Sequence, residues 1–363
     1  MKTAHINAGN EVGGGLVHIV SLLDALKAEQ VDLIVLEEGP VAAAAREAGI
    51  SVYVFEQKNR FDLTVLYRLR AFILGQDYTL IHTHGPRANT LMSFLRPFLE
   101  VTWIMTVHSH PLLDFKGRGF KGRMYETIHL KTFKRADGII AVSNEIRTFL
   151  KSQGVPASRV RVIHNGIRFS DLQKQSALVS RETFTLVTVG RLTEIKGYAV
   201  LMDALHAFEE QDWQWVICGD GEQMDVLKRK GEAYKLMPQL DFKGWLSESD
   251  IRKELRQADV FVLPSLSEGF PMILLEAADE KIPAIATDVG DVREVIRDSS
   301  MGWIVSPADP EALKKALTEA HALWKQNKLK SKGDRLRTFA SRYSIEKQSR
   351  SVLAFYNEIM TKH

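Results

Sequence analysis

Glu268 and Glu276 stand with seven residues between them, Gly269-Phe270-Pro271-Met272-Ile273-Leu274-Leu275, a glycine turn running into a proline-led helical pattern. The unbroken apolar run Val260–Leu263 just ahead reads as a buried strand, so the stretch is a strand, a turn and a helix. Proline in the first helical turn costs no hydrogen bond, and the amides of Phe270, Met272 and Ile273 then point outward as free donors at the positive end of the helix. Such an end holds an anion. With a carboxylate on either side, a phosphate flanked by hydroxyl-rich groups fits it.

Cations for that anion appear at an earlier turn. Strand Thr185–Val189 runs into Gly190-Arg191-Leu192-Thr193-Glu194-Ile195-Lys196-Gly197, ahead of a helix marked by Val200, Leu201, Ala204, Leu205 and Phe208. Arginine forks onto phosphate oxygens and lysine adds a point charge. Two further strand ends follow, Trp215–Cys218 with Gly219-Asp220-Gly221, and Asp241-Phe242 with Lys243-Gly244-Trp245, where lysine, glycine and tryptophan suit the edge of a planar base. In the first half, two strand ends carry His82-Thr83-His84 and His108-Ser109-His110. A metal site, satisfied histidines, and a hydrogen-bonding or catalytic role for His108 are three readings of these rings. No cysteine or carboxylate accompanies them at ligand spacing, which disfavours the metal and leaves His108 the first residue to mutate.

These residues need a scaffold that collects strand ends. Runs at 4–8, 32–36, 51–55, 80–83, 102–107, 138–142 and 160–164 alternate with helical patterns, and the second half repeats the alternation up to strand 282–286. That is a parallel sheet with helices on both faces, twice over, and ligands gather beyond the carboxyl ends of such strands. Gly13-Gly14-Gly15 opens the first helix, whose apolar face is Leu16, Ile19, Val20, Leu23 and Leu26. The triplet lacks the dinucleotide fingerprint, so it marks close backbone approach rather than NAD binding. The polar segment 170–182 reads as a linker, dividing a first domain, 1–168, from a second, 169–344. The last helix, 345–360, has an apolar face that must be buried.

A length of 363 residues suits two domains. A single cysteine excludes an internal disulfide framework. A net charge of +3 is too small to imply nucleic acid. There is no 18-residue apolar run and no leader-like start, so the expectation is a cytoplasmic protein. The basic, aromatic-punctuated segment 115–125 reads as a flexible loop and suits a phosphate-bearing acceptor or peripheral contact with an anionic membrane, which would place the protein at the inner membrane face.

Taken together, Gly13–Gly15, Ala141-Val142-Ser143, Asn165-Gly166, Gly190-Arg191 with Lys196-Gly197, Gly219-Asp220-Gly221, Phe242 with Gly244, and Pro264-Ser265 leading to Glu268 and Glu276 resemble family four of the retaining nucleotide-sugar glycosyltransferases. The resemblance covers almost the whole chain. It implies the α/β arrangement called GT-B, two Rossmann-like domains facing a cleft, with the C-terminal helix (345–363) returning to the first. It also implies roles. Arg191 and Lys196 would hold the donor diphosphate, Glu276 the ribose, Glu268 and the following Gly269, Phe270, Pro271, Met272 and Ile273 the sugar and phosphate. Gly14 and Gly15 would meet the phosphate from across the cleft, His108 the donor sugar or acceptor, and Gly190, Gly219, Lys243 and Gly244 would complete the donor site. Three positions depart from the family pattern: Arg168, Glu280 and Asp291.

The activity implied is transfer of a hexose from a UDP- or GDP-sugar to a glycan or glycolipid acceptor, with retention, without a metal or other cofactor, in cell-surface polysaccharide synthesis. Breaking the anomeric bond leaves a growing negative charge on the diphosphate, so preset donors around it supply the largest aid. An epimerase or hydrolase on the same fold, and a noncatalytic sugar-nucleotide-binding protein, are the alternatives. Product analysis without acceptor separates the first from a transferase; donor binding without turnover would reveal the second.

Overall fold

The computed structural model describes residues 1–57, 62, 64–112, 119–171 and 182–362, with the backbone alone for 119–124. It divides into two compact units, Met1–Arg168 with Tyr343–His363, and Phe169–Arg342. In the first, strands β1 (Thr3–Asn7), β2 (Val31–Val35), β3 (Ser51–Val54), β4 (Leu80–His84), β5 (Thr102–Val107), β6 (Gly138–Ala141) and β7 (Val160–Val162) form a parallel sheet in the order β3-β2-β1-β4-β5-β6-β7. The second has β8 (Phe184–Val189), β9 (Trp213–Cys218), β10 (Leu240–Gly244), β11 (Val260–Leu263), β12 (Ala284–Thr287) and β13 (Gly302–Val305), parallel in the order β10-β9-β8-β11-β12-β13. Both are Rossmann-like. Chain order reverses between β1 and β4 in one unit and between β8 and β11 in the other, and at such a reversal the loops diverge and leave a crevice.

Apolar strands explain the layering. β4, β5, β6, β11 and β12 are buried along almost their whole length, as strands covered by helices on both faces must be. The helix Ile345–Met360 starts at Ser344, whose hydroxyl accepts from the Lys347 amide. It lays Ile345, Val352, Phe355, Tyr356 and Ile359 on Leu22, Leu80, Ile104, Ile140 and Ile163 of the first unit. Each large side chain so buried contributes about 1.5–3 kcal/mol. Contact is close because Gly138 has no side chain: a Cβ there would lie 3.0 Å from both Phe355 and Ile359.

The return to the first unit begins two residues before the helix. The Ile167 amide donates to Tyr343 O and the Ile345 amide to Ile167 O, while a Cβ on Gly166 would meet Ser344 O at 2.6 Å. Tyr343 and Ser344 are thereby tied to the first unit rather than the second. The linker expected at 170–182 lies largely outside the described residues, as does 115–118 of the basic stretch. From Gly119 onward that stretch is not a loop, because the helix Gly119–Thr132 has begun.

Candidate active site

At the β8/β11 reversal the two loops are locked together. The Leu266 amide donates to Ile195 O at 2.7 Å, and Gly197 (φ +66°) lies so close that a Cβ would sit 2.0 Å from Pro264 O. Only glycine fits there. This contact brings Lys196 beside Glu268, Nζ donating to Oε1 at 2.6 Å, and Ser265 Oγ donates to the same oxygen at 2.6 Å. Ser265 is itself held, since Thr287 Oγ1 reaches Ser265 O and Leu263 O. Both partners of Glu268 take Oε1. Its Oε2 has no partner among the described residues.

The helix after the turn runs Met272–Asp279, with Pro271 as its N-cap rather than its first residue. Pro271 therefore contributes its carbonyl, which accepts from the Leu274 amide at 3.1 Å. The amides of Met272 and Ile273 remain the donors of the first turn, with no intrahelical acceptor. Phe270, Pro271 and Met272 are buried. Gly290 (φ +53°) packs against the turn, where a Cβ would lie 2.4 Å from Gly269 O, and the Asp291 amide donates to that same carbonyl. Asp291 thus stands at the turn that carries Gly269.

Glu276 lies on the second turn of this helix. Desolvation raises its carboxyl to about 7; the Arg252 charge opposes the rise, and Glu248 and Asp279 add to it. Glu280 is placed differently. Its buried carboxylate is taken by Arg256 at 2.7 Å and Arg252 at 3.3 Å, a structural ion pair at the far end of the helix. Arg168, in the first unit, pairs with Asp24 at 2.8 Å.

Glycines close the neighbouring strand ends. Gly190 N donates to Cys218 O and Gly219 N to Gly244 O, and a Cβ on Gly219 would lie 2.0 Å from Gly190 O. Arg191 follows, exposed and without an ion pair among the described residues. Lys243 pairs with Asp241 at 2.8 Å, which raises its pKa. Beside Gly244, Trp245 is 60% exposed, so it is a surface ring and not core. Sequence reasoning missed Tyr198, which is buried under Gly190; burial foremost, then the Glu268 charge, raises its phenol.

The β1/β4 reversal in the first unit has other chemistry. Gly13 (φ +66°) caps the helix Gly14–Ala25 without a side-chain hydrogen bond, so the amides of Gly14 and Gly15 face outward. Glu11 lies at this helix start, where the dipole favours a negative charge: a Cβ on Gly15 would meet its Oε2 at 2.8 Å, and Asn7 Nδ2 donates to its Oε1 at 2.9 Å. His82 and His84 of β4 join His5 of β1, His18 of the first helix, and His108 after β5. His5 Nδ1 and His84 Nε2 are 2.9 Å apart, and His84 Nδ1 and His108 Nε2 are 3.1 Å apart. Burial lowers all five, His5 to about 3 and His108 to about 4. His110 stays apart and packs on Phe149. Sequence reasoning did not see His5, His18 or Glu11, which only the β1–β4 pairing and the first turn bring to the strand ends.

Comparison with known proteins adds the following. The family model described as Glycosyltransferase Family 4 matches residues 12–170, and that described as Glycosyl transferases group 1 matches 169–336. A UDP-Gal:alpha-D-GlcNAc-diphosphoundecaprenol alpha-1,3-galactosyltransferase of Escherichia coli is 27% identical over 341 residues, covering 87% of each chain. A phosphatidyl-myo-inositol mannosyltransferase of Mycobacterium leprae is 27% identical over 319 residues, 84% of this chain and 83% of that one. Among solved structures, Anabaena Alr3699/HepE in complex with UDP-glucose superposes with a TM-score of 0.84 at 18% identity, over 98% of this chain and 99% of that one. At that identity the likeness is one of fold.

Proposed function

The chain belongs to the family-four, group 1 glycosyltransferases with the GT-B fold, and from that premise we propose that it moves a hexose from a nucleoside diphosphate sugar to a glycan or lipid-linked glycan acceptor, with retention at the anomeric carbon. The observation that carries this reading is the meeting of two loops at the β8/β11 reversal. There Lys196 of one loop meets the other, which carries the Met272 and Ile273 amides and a Glu268 oxygen with no partner among the described residues. Cation and helix start suit a diphosphate; the carboxylate suits sugar hydroxyls.

The mechanism follows from where charge grows. As the anomeric carbon–oxygen bond breaks, negative charge gathers on the diphosphate, and Lys196, Arg191 and the first-turn amides stabilise it without reorganising. The acceptor hydroxyl attacks from the face that the diphosphate leaves, and a diphosphate oxygen takes its proton. Configuration is kept without a protein nucleophile. Glu268 Oε2 orients the sugar, and Glu276 accepts from the ribose hydroxyls. Gly190, Gly219, Lys243, Gly244 and Trp245 edge the base. Gly14 and Gly15 are assigned to phosphate by the family pattern, and His108 to the transferred sugar or acceptor.

The named relatives act on a diphosphoundecaprenol-linked sugar and on phosphatidyl-myo-inositol, which favours a membrane-linked acceptor here and a peripheral site of work. Likewise, HepE in complex with UDP-glucose makes a UDP-sugar the first donor to test. A thermal-shift screen with UDP, GDP and ADP should show one nucleotide raising the melting temperature, because a ligand of the native state adds to stability. Labelled donor with lipid-linked acceptors should then give an α-linked product from an α-linked donor. An inverted product would refute retention, and hydrolysis alone would refute transfer.

A further inference from the structure

Six side chains of the first unit form one hydrogen-bonded line. Thr106 Oγ1 meets His82 Nε2 at 2.7 Å, and His82 Nδ1 meets the Tyr356 hydroxyl. That hydroxyl meets His5 Nε2 at 3.2 Å, His5 Nδ1 meets His84 Nε2 at 2.9 Å, and His84 Nδ1 meets His108 Nε2 at 3.1 Å. All but His108 are at most 2% exposed. Burial keeps the rings neutral, and a neutral imidazole has one N–H and one lone pair.

One proton per link ties the directions together. Suppose Thr106 donates to His82 Nε2. His82 must then carry its proton on Nδ1 and donate to Tyr356, Tyr356 donates to His5, and each later ring donates from Nδ1, ending with His108 protonated on Nδ1. Two other patterns leave His108 Nδ1 bare: the whole line reversed, or Tyr356 accepting from both His82 and His5, which buries the tyrosine proton without an acceptor. Thr106 breaks the tie: among the described residues its hydroxyl has only His82 as partner. In the reversed line its proton would be buried without an acceptor, an expensive arrangement.

We propose that this line fixes His108 as the Nδ1–H tautomer, so that its second ring nitrogen is a hydrogen-bond donor and not a base. Thr106, His82, Tyr356, His5 and His84 are positioning residues. The tautomer is a property of the free protein; its use, donation to a sugar or acceptor oxygen, rests on the function proposed above. A metal bound through the facing nitrogens His84 Nδ1 and His108 Nε2, 3.1 Å apart, would need both bare. The line places a proton between them.

Long-range proton–nitrogen spectra of the full chain labelled with ¹⁵N-histidine test this. His5, His82, His84 and His108 should all be protonated on Nδ1 in the native protein and in Thr106→Ser, which keeps the hydroxyl. Thr106→Val and Tyr356→Phe, which cut the line at different links, should each turn His108 into a mixture of tautomers. In turnover, Thr106→Val should lower kcat by about tenfold, the scale of one mis-set hydrogen bond, while Thr106→Ser stays within about twofold. His108 protonated on Nε2 in the native protein, equal losses in both Thr106 variants, or stoichiometric zinc after purification would each overturn the proposal. Should the protein transfer no sugar at all, the spectra still decide the tautomer.

Discussion

The same place in two similar sheets holds opposite chemistry. At the β8/β11 reversal the loops carry ions, with Lys196 bound to Glu268 beside a helix start; at the β1/β4 reversal the strands and the helix beside them carry neutral imidazoles packed ring to ring. Topology gathers strand ends and loops at both, because strand order reverses there. What they carry is decided by a few side chains, so fold alone does not name a function. In the second unit the charges persist as an ion pair, Lys196 on Glu268. In the first, burial has removed the charge from the imidazoles and left them only hydrogen-bond direction.

Breaking the ionic side of that contrast should have the largest effect. Lys196→Ala removes the cation and leaves Glu268 without its ion partner, and turnover of labelled donor should fall by about 10²–10³-fold. Full activity would remove Lys196 from the diphosphate site. On the neutral side, His108→Ala should cost about tenfold to a hundredfold in kcat, whereas His110→Ala, outside the cluster, should change it by less than about twofold. Equal losses would undo the distinction between the two histidines of that pair. Glu276→Gln keeps the shape but not the charge, and calorimetry should show nucleotide binding weakened by about tenfold.

The smallest effects sharpen the contrast most directly, because the two sites titrate with opposite sign. The imidazoles have folded values lowered from 6.5, so their share of stability is present above about 6.5 and lost as pH falls toward 4. Glu276 is raised from 4.5 to about 7, so its share is present below 4.5 and lost as pH rises through 7. Segment-resolved hydrogen exchange between pH 4.5 and 8 should show the first unit loosening toward acid. Glu276→Gln should flatten the second unit's response across 4.5 to 7 without altering the first. A Glu276→Gln profile that matches the native one would show that this carboxyl does not titrate there.

Much of the second unit's site was legible in the sequence, because it is local. A strand, a turn and a helix start follow from the apolar run at 260–263, Gly269 and Pro271, and they place the amides of Met272 and Ile273 without help from elsewhere. Even there, the position of Pro271 as cap was one residue off, since the turn carries Gly269 against Gly290 before the helix begins. The departures at Glu280 and Asp291 could not be weighed from sequence. An arginine pair holds the one, and the other lies against the turn.

By itself, then, the sequence determined the class of fold, the strand ends where chemistry gathers, and residue types suited to a diphosphate, since periodicity and turn chemistry act over a few residues. Tertiary structure decided which atoms remain for a ligand. It set Lys196 and Ser265 on one oxygen of Glu268, and joined His5, His82, His84, His108 and Tyr356 across 351 positions of the chain. No local rule reaches that far, because hydrogen-bond direction is settled only when the last partner is in place.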